Sequence, residues 1–195
     1  MKTILKTLLL FAYFPGIKAN AQDTASYLKP AQVKINLNYL GGSVSYEQRV
    51  SSSNTLYFDA GIGYGFTYQA TYYGDINNTN YQYRIKPAIT AELRHYYHFK
   101  ERLAKNRSVA NNGSNFFALK VNYIFEPVGS YGGLDHSAVI GVMPGWGIQR
   151  TLGKYLTLEL ELGLQASYEL SRYAPSSTQL TVGPGAAFKI GYLVQ

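Results

Sequence analysis

The 195-residue sequence contains no cysteine. A lipid-anchored bacterial precursor needs a cysteine at its processing site, and disulfide frameworks and thiolate metal sites need several, so all three are excluded. Charge is also scarce. Asp, Glu, Lys and Arg make up 15% of the residues, with 18 basic against 11 acidic. The basic residues are scattered, whereas nucleic acid calls for a clustered face or stripe, so no nucleic-acid partner is expected. Long hydrophobic runs are missing as well. Thr7–Phe14 (TLLLFAYF), broken by Pro15-Gly16 and followed by Lys18, is too short to cross about 30 Å of hydrocarbon as a helix.

That stretch has the layout of a cleaved signal peptide. Met1, Lys2 and Lys6 give a positive start, the apolar core follows, and Ala19-Asn20-Ala21 is a small-x-small site that places cleavage before Gln22. Removing residues 1–21 takes away three lysines and no acid, which lowers the formal charge from +7 to +4. An exported chain without disulfides must be held by its own hydrogen bonding and packing, a task that closed barrels perform well.

What the sequence has in quantity is Tyr and Gly, 19 of each. The pairing suits strands that turn tightly and meet an interface, and does not suit a helical protein. Period-two alternation recurs along the chain, and period two means strands, because successive side chains point to opposite faces. Over Leu56–Tyr68 the even positions (Leu56, Phe58, Ala60, Ile62, Tyr64, Phe66, Tyr68) are apolar or aromatic, and the odd ones run through Asp59, Gly61, Gly63 and Gly65. Tyr81–Phe99, Asn115–Phe125, Ser137–Gln149, Tyr155–Tyr168 and Gln179–Gln195 alternate in the same way. Near the start, Val33–Tyr39 and Val44–Arg49 flank Gly41-Gly42. They read as two strands joined by a tight Gly-Gly turn, or as one strand kinked at the glycines, which would make seven strands. Eight is the better count, because single-chain bacterial barrels use even numbers.

The expected fold is therefore all-β, an eight-stranded antiparallel up-and-down transmembrane β-barrel over 31–195, preceded by the signal peptide (1–21) and a short periplasmic segment (22–30). With both termini in the periplasm, Ser51–Asn54 and Arg150–Lys154 are short turns on that side, and Gln69–Asn80, Glu126–His136 and Glu169–Thr178 are outer loops. Lys100–Ser114 would be an unusually long periplasmic connection. A soluble lipocalin-like barrel would turn its apolar face inward instead. Three observations favour lipid: uninterrupted apolar faces as long as a tilted strand needs, glycines crowding the polar face, and aromatics near strand ends such as Tyr39, Tyr97, Phe99, Tyr123 and Tyr192.

The signal peptide, the strand Asp59–Tyr68 (DAGIGYGFTY) and the closing strand Ala187–Val194 (AFKIGYLV) resemble small outer-membrane barrel proteins of the OmpA/OmpX type, and the outer-membrane barrels common in Bacteroidota. Such families end on an aromatic residue, where this chain ends on Gln195 with Phe188 and Tyr192 upstream. The resemblance implies residence in the Gram-negative outer membrane and contact with its lipid and lipopolysaccharide. It also implies insertion by the barrel-assembly machinery, and a structural, surface-interaction or envelope-maintenance role with no cofactor.

The polar faces would bring Lys34, Arg49, Arg84, Lys86, Arg94, Lys120 and Lys189 together with Glu47, Asp59, Glu92, Glu159 and Glu161 inside the barrel. Buried charges must pair. Glu159 or Glu161 is expected beside Lys189, and Asp59 beside Arg84, Lys86 or Arg94, giving a plugged lumen rather than a porin-like pore. No catalytic, cofactor or metal site is expected. Asp135-His136-Ser137 holds triad residue types, but adjacent residues in an extended chain point opposite ways. It reads as a loop edge, and a lipid A esterase or acyltransferase is the alternative. His95 and His98 fall on opposite strand faces, so they cannot share a metal; His98 is expected to pair in the lumen. Lys100, Arg102, Lys105 and Arg107 form one basic cluster, read as a solvated short helix. Gly61-x-Gly63-x-Gly65 lies inside a strand and is no nucleotide loop. Gly183-Pro184-Gly185 reads as a kink or bulge.

Overall fold

A computed structural model of the chain describes residues 27–38, 41–73, 76–131, 137–171 and 180–194, with side-chain surroundings described except at 64–83, 129–131 and 171. The expected signal peptide lies outside the described residues.

The described strands are β1 (Ala31–Asn38), β2 (Gly41–Arg49), β3 (Asn54–Tyr73), β4 (Ile76–Tyr97), β5 (Asn115–Ile124), a three-residue β6 (Gly129–Tyr131), β7 (Ser137–Leu152), β8 (Leu156–Ser171) and β9 (Leu180–Val194). Eight of them run up and down in one antiparallel ring, in the order β3-β2-β1-β9-β8-β7-β5-β4, with β4 returning to β3. β1 closes on β9 from Val33↔Val194 to Asn38↔Lys189. Closure gives every strand of the ring a neighbour on both sides, and beyond Gly63 β3 pairs with β4 alone. β6 adds three rungs to β4 at Tyr83–Ile85, beyond the end of β5. β5 stops where Pro87, which lacks an N–H, lies across from it, and the Pro87 carbonyl accepts the N–H of Phe125 instead.

The count of eight stands, and β1 and β2 are separate strands. The Gly-Gly turn does not stand. Gly41 and Gly42 already pair with Asn38 and Leu37 inside the β1–β2 ladder, so the connection consists of residues 39 and 40. Gly41 serves close approach rather than turning, since a Cβ there would sit 1.9 Å from the Ile62 carbonyl oxygen. The outer loop expected at Gln69–Asn80 is also overturned. β3 and β4 stay paired from Asn54↔His95 to Tyr73↔Ile76, because a hydrogen-bonded ladder is indifferent to side-chain polarity and Thr71, Tyr72 and Tyr73 are good strand formers. Gly183-Pro184-Gly185 makes no bulge. Its register against Gln165, Leu164 and Gly163 is continuous, so Pro184 forfeits a donor without shifting the pairing.

The ring has two unlike ends. One, the helix end, carries residues 27–30, the β2–β3 and β7–β8 turns, and the β4–β5 connection with helix α1 (Phe99–Ala104) and a 3-10 turn (Ala110–Asn112). The other, the loop end, carries the β1–β2, β3–β4, β5–β7 and β8–β9 connections. The buried apolar cluster sits at the helix end: Leu28, Tyr96, Phe99, Phe116 and Ala118, with Val109 against it. Phe99 was expected on the outer face. Instead His98 takes a left-handed backbone (φ 64°), ends the alternation, and turns Phe99 inward as the first residue of α1.

Candidate functional site

Alternation in these strands sorts side chains by polarity in an unusual sense: apolar ones face out and charged ones face in. Ile35, Leu37, Val44, Ile62, Leu93, Phe117, Leu119, Leu162, Leu164, Val182 and Tyr192 are among the large apolar side chains that stand exposed on the outer wall. Leu37 is 65% exposed and its strand neighbour Asn36 is 4% exposed, a contrast that sets the direction of the face. Soluble monomers rarely expose contiguous apolar surface beyond a few hundred Å².

At the helix end several outward aromatics pack against one another. Tyr97 and Phe117 stack with centroids 5.2 Å apart, and the Trp146 indole N–H donates to the Tyr97 hydroxyl. Tyr155 lies 5.8 Å from Tyr192. Toward the loop end, Tyr123 and Phe125 meet edge to face at 4.8 Å.

Inside the ring, four basic side chains (Lys34, Arg94, Lys120, Lys189) interleave with four acidic ones (Glu47, Glu92, Glu159, Glu161), and all eight are buried. Arg94 is the hub, with no exposed surface. Its two terminal nitrogens donate to the two oxygens of Glu159 at 2.9 Å each, and Nε donates to Glu92 at 2.6 Å. The guanidinium is also sandwiched between the rings of Tyr57 (3.7 Å to the centroid) and Phe116 (4.6 Å). This is the arrangement in which a planar, weakly hydrated cation tolerates loss of water. Lys120 bonds to Glu161 and lies 3.5 Å from Glu92. Lys189 lies 3.6 Å from Glu159, its cross-strand neighbour, and donates to the Tyr57 hydroxyl at 3.1 Å. Glu47 accepts from Tyr96 and Thr55 at 2.8 Å and from Gln32. The cluster is neutral as a whole, and every charge in it touches an opposite one, which offsets the cost of burying them.

The expected pairing of Lys189 with Glu159 is present. Of the three partners expected for Asp59 (Arg84, Lys86 or Arg94), Arg94 is not one, since it gives its donors to Glu92, Glu159 and Tyr96. Asp59 accepts from Ser43 (2.8 Å), Tyr57 (3.1 Å) and Asn36 (3.2 Å). Arg49 donates to the Leu28 carbonyl at 3.1 Å and Lys86 to that of Ser137 at 3.4 Å. His98 does not pair inside the ring. It is exposed and faces Glu101 at 3.4 Å, an ion pair when the imidazole is protonated. His95 bonds Asn54 at 2.8 Å on the exposed face, so the two histidines remain apart. Asp135 and His136 lie outside the described residues. Lys100 and Arg102 fall in the short helix expected there, and Lys105 and Arg107 follow it.

Alternation does not reveal the plug at the helix end, formed by the buried apolar cluster and the β4–β5 connection. Asn111 and Asn112 are buried with left-handed backbones. The Lys29 N–H donates to the Asn112 side chain at 2.9 Å, and the Gln149 amide bridges Lys34 and the Asn111 carbonyl. The available signals were Phe116 on an otherwise polar face and Asn111-Asn112-Gly113, a run of residues tolerant of positive φ. In comparisons with protein-family models, with curated proteins and with solved structures, nothing matches this chain.

Proposed function

We propose that the chain is a non-enzymatic integral outer-membrane β-barrel with a structural, surface-interaction or envelope-maintenance role, the helix-end half of its interior filled by the charge cluster. The observation that carries this reading is the inverted polarity: exposed leucines, isoleucines and valines around a ring whose buried residues are lysine, arginine and glutamate. Water would favour the opposite arrangement, whereas hydrocarbon favours this one. A closed ring is also the only sheet whose backbone is satisfied without solvent.

The dimensions agree. From Leu156, which pairs with Tyr192, to Tyr168 is 12 steps along β8. At roughly 3.3 Å per residue and a tilt of about 40°, this is close to 30 Å along the membrane normal. Aromatic residues at both limits sit where interfacial belts form. The start of β1 and the end of β9 both lie at the helix end, in agreement with the usual orientation, with that end periplasmic. A soluble ligand-carrying barrel would need the opposite polarity. The test is extraction of the full chain from cells. An integral protein stays in the membrane pellet through an alkaline carbonate wash and is released by detergent; release by carbonate would overturn the reading.

A further inference from the structure

On the helix-end side of β7 the apolar wall gives way to cations that no acid neutralises. Residues 98–114 and 150–154 carry Lys100, Arg102, Lys105, Arg107, Arg150 and Lys154 against a single acid, Glu101. Glu101 faces His98 at 3.4 Å.

Three of these cations converge. Gln149 is fully buried, so its strand neighbour Arg150 faces outward, on the same side as Trp146 and Ile148. The Arg150 guanidinium donates to the Asn115 side chain at 2.6 Å and to the Gln149 carbonyl at 2.8 Å. Arg102, in α1, donates to the Ser108 carbonyl at 2.8 Å, and the Arg107 N–H donates to the Arg102 carbonyl at 2.9 Å. The charges of Arg102 and Arg107 both bear on Arg150. Burial, together with the Arg107 charge, lowers the pKa of Arg102 from the usual arginine value. Among the described residues none of the three takes part in an ion pair. The Arg102 Nε is buried and donates to nothing. Like charges held together only by neutral acceptors call for an anion, and guanidinium matches phosphate with paired donors.

The surroundings select the carrier of that anion. Exposed apolar side chains interleave with the cations: Leu103 is 42% exposed, Leu152 48% and Phe117 55%. Trp146 and Ile148 continue the Arg150 face into the wall. Free phosphate would leave this apolar surface uncovered, and an acidic protein segment would set charges against it. A phospholipid puts its phosphate on the guanidiniums and its chains along the wall.

We propose that Arg102, Arg107 and Arg150 form a binding site for the phosphate of an anionic glycerophospholipid in the leaflet at the helix end, with its acyl chains against Trp146 and Phe117. Such a site rests on the membrane reading above. Trp146 is the sole tryptophan of the chain and shares the Arg150 face, so its fluorescence reports on the lipid held there. The full chain, isolated from membranes, is reconstituted in phosphatidylcholine vesicles at physiological ionic strength. Dibrominated phosphatidylglycerol and dibrominated phosphatidylcholine are compared as quenchers at equal mole fraction, since bromine quenches tryptophan only at close range. A basic group near an anionic lipid is worth about fivefold, so a several-fold preference for the phosphatidylglycerol is expected. The double variant Arg107→Gln/Arg150→Gln should bring the two lipids to equality. Lys100→Gln/Lys154→Gln, which removes two charges of the same rim outside the cluster, should retain the preference. Heat-modifiable migration checks that each variant is folded, and Arg102→Gln/Arg107→Gln, confined to the connection, replaces the first variant if that one does not fold. Equal quenching by the two lipids in the parent, equal loss in the two kinds of variant, or abolition of the preference by inorganic phosphate at matched ionic strength would overturn the proposal alone. Quenching by neither lipid would overturn the membrane reading and the site with it.

Discussion

At the scale of the residue, Arg94 organises the interior. It touches two glutamates and two aromatic rings and has no contact with solvent, so its removal leaves two carboxylates short of their principal partner. Arg94→Met is expected to destabilise the folded protein by about 3–5 kcal/mol, as breaking a buried pair from one side does. Pairing it with Glu159→Gln should recover part of the loss. Arg94→Lys should fall in between, because an ammonium cannot make the two-pronged bond. Urea unfolding in lipid vesicles measures all three, and equal stability of Arg94→Met and the parent would contradict the hub. Gly147 makes a second residue-scale case. A Cβ there would lie 2.2 Å from the Phe116 ring, in the plug. Gly147→Ala should therefore cost about 1–3 kcal/mol by overpacking, and Phe116→Leu in the same chain should relieve it, read on the same unfolding curves. The charged residues of the interior were legible in the sequence, because alternation assigns each to a face. Their partners were not. Arg94 and Glu159 are 65 positions apart and on strands that do not pair, and only ring closure brings them within reach.

At the scale of the element, the strands whose outer face is apolar were legible and the segments beyond that face were not. β8 and β9 show alternation over nearly their whole length. Beyond Gly63 the β3–β4 hairpin continues for ten more residues on β3 to Tyr73, about 33 Å at the usual rise of roughly 3.3 Å per residue. Its polar Gln69–Asn80 stretch reads as a loop when polarity is the guide. The β4–β5 connection misleads in the other direction, because charged Lys100–Arg107 conceals that Phe99 and Val109 anchor it to the ring. α1 is expected to depend on that anchor. Phe99→Ala should cost about 3 kcal/mol or more and raise hydrogen exchange in 98–114 while leaving β8 and β9 protected; uniform loosening would show that the plug and the ring are one unit. The connection also reports sidedness. Lys100, Lys105 and Arg107 are exposed, so trypsin added to intact cells should leave them uncut and should cleave there once the outer membrane is permeabilised. Cleavage on intact cells would reverse the orientation.

At the scale of the whole molecule, one inversion dominates, hydrocarbon-compatible outside and charged inside, imposed by closing an alternating sheet with its polar face inward. A charge placed midway up the outer wall probes it without touching the interior. Leu162→Arg, at a position 48% exposed, should destabilise the protein by about 2–4 kcal/mol in a bilayer. In water such a surface change would have little effect. The most direct measurement is electrophoresis of the membrane fraction in SDS with and without boiling. The expected result is a membrane-bound band that migrates faster unboiled and shifts to its full apparent mass on heating, as a closed, detergent-resistant ring does. A band found in the aqueous fraction with the same mobility before and after boiling would contradict it.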